Sequence, residues 1–201
     1  MQHDTTGALG VTQRGGFMNE QRIVVITDSG TDTPADFAAE HDVRVIPLRI
    51  NYSDGSTYEN GVDITAKEVV ERFSEEIPTT SLPSPMKVRD TLEQARRDGY
   101  VGAVVVTISS GLSATFETIS MVARQMEDFP VVMVDTKSIG IAAGFVVMEA
   151  VRQVEAGMPL ESLGSVLAAA SERVRVFFSV QKLDFLRKGG RISEAVYRVG
   201  S

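Results

Sequence analysis

Between Ile23 and Ala156 short runs of β-branched residues alternate with longer amphipathic stretches, and this alternation restricts the fold more than any other feature of the chain. Ile23 to Thr27 is a buried-strand pattern that stops at Asp28-Ser29-Gly30. Gly102 to Ile108 is the clearest strand and runs into Ser109-Ser110-Gly111, and Val131 to Val134 runs into Asp135-Thr136-Lys137-Ser138. A helix precedes or follows each. Thr33 and Pro34 are expected at N-cap and N1 of the first helix, and Thr65 with Glu68 makes a capping box for the next, whose apolar stripe is Val69, Val70, Phe73 and Ile77. Ser84 and Pro85 repeat the cap pattern and Gly99 ends that helix. Val43 to Tyr52, interrupted by Pro47, reads as a bent edge strand or hairpin. Residues 139–156 form a helix apolar on most faces, expected between layers.

The implied class is α/β: a three-layer α/β/α domain with a mostly parallel sheet, followed by the beginning of a second, smaller α/β domain. The expected divisions are a flexible extension over 1–21, the α/β domain over 22–157, and an incomplete second domain over 158–201. The chain stops at Ser201 inside what reads as a helix, so that second domain is expected to be unfinished, and Met18 is a second candidate start. Right-handed crossovers put every strand-to-helix loop on one edge of the sheet. The loops at Asp28-Ser29, Ser109-Gly111 and Asp135-Ser138 are therefore expected to converge where open α/β sheets bind ligands.

Composition narrows the function. A net charge of −7 argues against a nucleic-acid partner, because phosphate backbones need a basic face. The absence of cysteine excludes disulfides, a thiol nucleophile and cysteine-bound metal. The longest apolar stretch, residues 139–151, is too short to span a bilayer and the N-terminal stretch lacks a signal-peptide core, so no transmembrane segment and a cytoplasmic location are expected.

Two hydroxyl-rich loops, Pro78-Thr79-Thr80-Ser81-Leu82-Pro83-Ser84 and Ile108-Ser109-Ser110-Gly111-Leu112-Ser113-Ala114-Thr115, stand where helices begin. Free amides of a first helix turn and nearby hydroxyls suit a carboxylate or phosphate. The plain alternative is that Thr80, Ser84, Ser109 and Ser113 only cap helices. A serine nucleophile lacks a base, since the only histidines are His3 and His41, and no Gly-x-Ser-x-Gly elbow occurs. Asp28 and Asp135 serve as metal ligands or bases, or they cap the turns that follow them. Phe116, Ile119, Met121, Phe145 and Met148 line an apolar channel or are ordinary core. Arg187-Lys188-Gly189-Gly190-Arg191 closes a helix or meets a phosphate or an acidic partner.

Asp28-Ser29, Pro78-Thr79-Thr80-Ser81-x-Pro83-Ser84, Ser109-Ser110-Gly111-Leu112-Ser113-x-Thr115, Asp135-x-x-Ser138 and Leu186-x-Lys188-Gly189-Gly190-Arg191-Ile192 together resemble the DegV family of bacterial fatty-acid-binding proteins, in order and spacing from Ile23 to the chain end. The resemblance implies a two-domain α/β carrier, not an enzyme, that holds one long-chain fatty acid between its domains without a cofactor. It implies carboxylate contacts at Thr80 and Ser110, with Ser81 and the Gly111 backbone beside them, and Arg191 facing a dihydroxyacetone-kinase-like fatty acid kinase that makes the acyl phosphate. The family's later region, with a histidine near the carboxylate, has no counterpart in this sequence, and Ala114 stands where glycine is common. The rival readings are an enzyme, either a phosphotransferase subunit or an acyl hydrolase using Asp28, Ser110 and Asp135, and an interaction protein with a vestigial pocket.

Overall fold

A computed structural model describes residues 19–177, 179, 183, 186–187 and 190–193. Four parallel strands form the main sheet in the order β2-β1-β6-β7: β1 (Ile23–Asp28), β2 (Arg44–Ile46), β6 (Gly102–Thr107) and β7 (Val131–Asp135). Three short antiparallel strands, β3 (Arg49–Asn51), β4 (Thr57–Glu59) and β5 (Thr79–Ser81), make a second sheet in the order β4-β3-β5. The helices are α1 (Ala35–Glu40), α2 (Ala66–Arg72), α3 (Pro85–Arg97), α4 (Thr115–Ala123), α5 (Ile141–Glu155) and α6 (Leu160–Arg173), and a single 3-10 turn covers Ser29–Thr31.

β1 and β6 are buried along their whole length because both faces of the sheet are covered, which is why they read as unbroken apolar runs. Ile23, Val25, Val104 and Val106 point to the side covered by α1, α5 and α6. Val24, Ile26, Ala103 and Val105 point to the side covered by α3 and α4. The α/β class with a mostly parallel sheet is as the alternation requires. Leu163 and Leu167 of α6 are fully buried in the same core as Val104 and Val146.

The capping box at Thr65 and Glu68 is complete. Gly99 follows α3 with φ of 99°. Elsewhere local rules yielded to tertiary contacts. Helix α1 starts one residue later than expected, with Pro34 at N-cap, and the Thr33 hydroxyl bonds Thr31 Oγ1 instead of a helix amide. Only Val69 of the α2 stripe packs on the small core of Ile50, Tyr52 and Ile64, whereas Val70, Phe73 and Ile77 are exposed, because three-residue strands offer too narrow a platform. Helix α5 is buried over most of its surface, but Ile141 and Phe145 are exposed. The mobility expected of residues 1 to about 20 concerns positions that, up to residue 18, lie outside those described, and Asn19 brackets Ile23 with two side-chain hydrogen bonds.

Gly144 marks a close approach of α5 to the 3-10 turn. A Cβ there would stand 2.7 Å from the Thr31 carbonyl oxygen. Gly144→Ala is therefore expected to destabilise the fold: backbone overlap costs about 1–3 kcal/mol, and the gain of about 1 kcal/mol in helix propensity does not cancel it. Urea denaturation checks this, and unchanged stability would mean that the turn yields freely.

Candidate functional site

The chain leaves β1 toward β2 on one side and returns through β6 on the other, so the order of strands reverses between β1 and β6. At such a switch point the two following loops part to opposite faces and leave a crevice. Asp28, the last residue of β1, sits there fully buried. Its carboxylate accepts from Gly30 N–H at 2.8 Å and Ile108 N–H at 2.9 Å, tying the end of β1 to the loop after β6. Burial raises its pKa to about 6 in spite of those two bonds. A metal or base role for Asp28 has no access, and it is a brace.

The three strand-end loops are laced by backbone bonds, Ser109 N–H to Ser138 O at 2.7 Å and Gly140 N–H to Gly30 O at 2.9 Å. They converge as the topology requires. The expectation of free amides in the second hydroxyl loop is corrected: Gly111 N–H donates to Ser109 Oγ at 3.2 Å, and the Leu112 and Ser113 N–H groups donate to Ser109 O. A tight turn uses its own donors, which leaves side chains to meet a ligand. Ser113 does not cap α4, whose N-cap is Ala114, and its hydroxyl pairs with Thr115 Oγ1 at 2.8 Å.

Ser110 is exposed, and its hydroxyl donates to Asp135 Oδ2 at 2.6 Å while its N–H donates to Oδ1 at 3.2 Å. The parallel register sets this pair, because Thr107 lies opposite Asp135 and Ser110 follows three residues later. Lys137 N–H also donates to Oδ1, at 2.9 Å.

Within the first hydroxyl segment Thr79–Ser81 is a strand, and only Ser84 stands at the start of a helix. Thr80 pairs with Ile50 across β3 and is exposed, and Ser81 Oγ accepts from Asn51 Nδ2 at 3.1 Å. Local sequence does not announce Asn51, whose role comes from the cross-strand register. Ser84 is at the N-cap of α3 without a side-chain bond. Ser29 joins the two sheets, its hydroxyl accepting from Leu48 N–H at 3.0 Å and Asn60 Nδ2 at 3.1 Å. Exposed Arg191 donates from Nη2 to Thr80 Oγ1 at 3.3 Å. The structure thus brings Arg191 to Thr80 and Ser110 to Asp135.

The five residues of the expected apolar channel do not share one surface. Ile119 is core, Phe116 helps line a cavity of about 380 Å³ with Met126, Phe129 and Met133, and Met121 and Phe145 are exposed. Helices α4 and α5 cover opposite faces of the sheet, which separates Phe116 from Phe145. Exposed Leu112, Ile141 and Phe145 instead border the converging loops. Among the described residues no group of three or more Asp, Glu or His side chains could hold a metal ion, and no helix is long and apolar enough to cross a membrane.

A family model described as "Uncharacterised protein, DegV family" matches residues 22–201. A DegV domain-containing protein of Clostridium acetobutylicum is 32% identical over 180 residues, covering 90% of this chain and 64% of that protein. Among solved structures, a fatty-acid-binding DegV family protein from Thermus thermophilus is 33% identical with a TM-score of 0.79, over 90% of this chain and 64% of that one. A stearic-acid-binding protein from Eubacterium ventriosum is 29% identical with a TM-score of 0.76, over 85% and 60%. The chain therefore spans 64% of the length of the curated relatives it matches first.

Proposed function

Because the chain belongs to the DegV family, we propose that it carries a long-chain fatty acid, gripping the carboxyl group with Thr80 and Ser110 beside Ser81 and Gly111. The observation that carries this reading is the exposed Ser110 hydroxyl at the switch-point crevice, backed by Asp135, with exposed Leu112, Ile141 and Phe145 alongside; this reading brings the Thr80 hydroxyl, backed by Arg191, to the same head group. Polar groups placed to orient a ligand beside apolar surface are what an acyl chain with a carboxyl head requires. The fatty-acid-binding relatives from Thermus thermophilus and Eubacterium ventriosum support the same ligand class. The chain supplies no chemistry of its own in this reading: it presents the carboxyl group to a dihydroxyacetone-kinase-like fatty acid kinase, which forms the acyl phosphate from ATP. It works without a cofactor, in the cytoplasm.

Organic extraction of the purified protein followed by mass spectrometry is expected to release about one long-chain fatty acid per chain. Extracts free of fatty acid from protein that also fails to take up palmitic acid would refute the carrier reading.

Arg191 is placed by this reading at the head group, facing the phosphoryl donor. Arg191→Ala is expected to leave lipid occupancy nearly intact and to lower kinase-dependent ADP release about tenfold or more, because a charge-assisted contact to phosphate is worth about 1.5–3 kcal/mol. Full ADP release from a fully loaded variant would remove Arg191 from that role.

A further inference from the structure

Counting protons at the two exposed hydroxyls gives them opposite characters. A serine hydroxyl carries one proton and two lone pairs, and a carboxylate only accepts. Ser110 Oγ stands 2.6 Å from Asp135 Oδ2, so its proton is committed there. Asp135 is held as an acceptor by three donors, the Ser110 hydroxyl and the N–H groups of Ser110 and Lys137. Toward the crevice Ser110 therefore shows lone pairs. Thr80 is the reverse. Its Oγ1 accepts from Arg191 Nη2 at 3.3 Å, which leaves the hydroxyl proton to be donated.

A site with one donor and one acceptor matches a carboxylic acid and mismatches a carboxylate, which has acceptors at both oxygens. An ionised ligand at Ser110 would set acceptor against acceptor with the Asp135 charge directly behind, and two carboxylates sharing one small site cannot both ionise readily. We propose that Asp135 makes the site select the neutral acid: the ligand's carboxyl O–H donates to Ser110 Oγ, the Ser110 hydroxyl goes on donating its proton to the Asp135 carboxylate, and the ligand's carbonyl oxygen accepts from Thr80. The inference rests on the fatty-acid reading and specifies the protonation state in which that ligand is held. Loading at neutral pH then takes up one proton from solvent, and no bond other than O–H is made.

The other charges near Asp135 leave this arrangement in place. None of the ion pairs seen among the described residues involves Asp135. The exposed Lys137 lies in the same turn and meets Asp135 through its backbone. From the β1 side come Asp28, braced to Ile108, and Asp32, whose carboxylate lies beside Gly140, and both add negative charge. Arg191 is engaged with Thr80.

Palmitic acid labelled with carbon-13 at the carboxyl group, bound to the protein and followed by NMR from pH 5 to 9, reads the protonation state directly. The bound carboxyl is expected to stay neutral to about pH 7 or above, against about 4.3 for a carboxyl in water. In Asp135→Asn the midpoint should fall by about two pH units or more. On the unaltered protein, calorimetry at pH 7 in two buffers of different ionisation heat should show uptake of about one proton per acid bound. A bound carboxyl already ionised at pH 6, or binding without proton uptake, overturns the inference and leaves the carrier reading standing. No bound signal at all overturns both.

Discussion

Asp28→Asn is expected to make the protein steadily more stable, relative to the unaltered chain, as pH rises from 4 to 7. The Asp28 carboxyl is fully buried, and its pKa lies at about 6 in the fold against an ordinary 3.8. A raised pKa means that the folded chain holds the proton more tightly than the unfolded chain does. The associated stability is complete below 3.8 and is lost as pH rises through about 6. That gap corresponds to about 3 kcal/mol. Protonated Asp and Asn each present one acceptor oxygen and one donor group, so the two proteins should match near pH 3.5 and diverge by up to about 3 kcal/mol in favour of Asn by pH 7. Urea denaturation at several pH values gives the difference, and a flat difference would show that Asp28 titrates normally. The buried charge has a use that stability does not record: only the carboxylate accepts from both Gly30 and Ile108. The stabilised variant is accordingly expected to bind lipid less well, a trade between a relaxed brace and a placed loop.

What was legible in the sequence was whatever local chemistry decides. β1 and β6 were visible because strands buried on both faces have no polar alternation to hide them. The Thr65–Glu68 box formed because both partners lie within one helix turn. Asp28, Ser110 and Asp135 were visible as residues at strand ends, and the convergence of their loops follows from parallel topology alone. The bond between Ser110 and Asp135 was not, since it depends on the offset between β6 and β7 for residues 25 positions apart. Thr79–Ser81 became a strand for a similar reason, its partner Arg49–Asn51 lying 30 residues earlier. The hydroxyls of Thr33 and Ser113 found side-chain neighbours two residues away, which compete with helix amides on nearly equal terms. The channel expectation failed because helical periodicity tells which residues of a helix turn inward but not which face of the sheet that helix will cover.

Ser110→Ala is expected to weaken palmitic acid binding about 10- to 150-fold, and Ser113→Ala to leave it nearly unchanged. A ligand carboxyl left without its partner costs about 1–3 kcal/mol, and the upper part of that range gives that factor. The two serines lie in the same turn, but their hydroxyls have different destinations. Ser110 is exposed and backed by Asp135, so its oxygen is presented to the crevice. Ser113 is half-buried and engaged with Thr115 Oγ1, a fully buried atom whose partner it is. Removing Ser113 should therefore cost about 1 kcal/mol of stability and little affinity. Removing Ser110 has a second consequence, because Asp135 Oδ2 loses its donor and its charge then faces the ligand head group. That repulsion acts only on an ionised ligand, so the affinity loss in Ser110→Ala should deepen with rising pH. Fluorescence displacement and urea denaturation on both variants separate the cases, and equal affinity losses in the two would place the head group elsewhere on the loop.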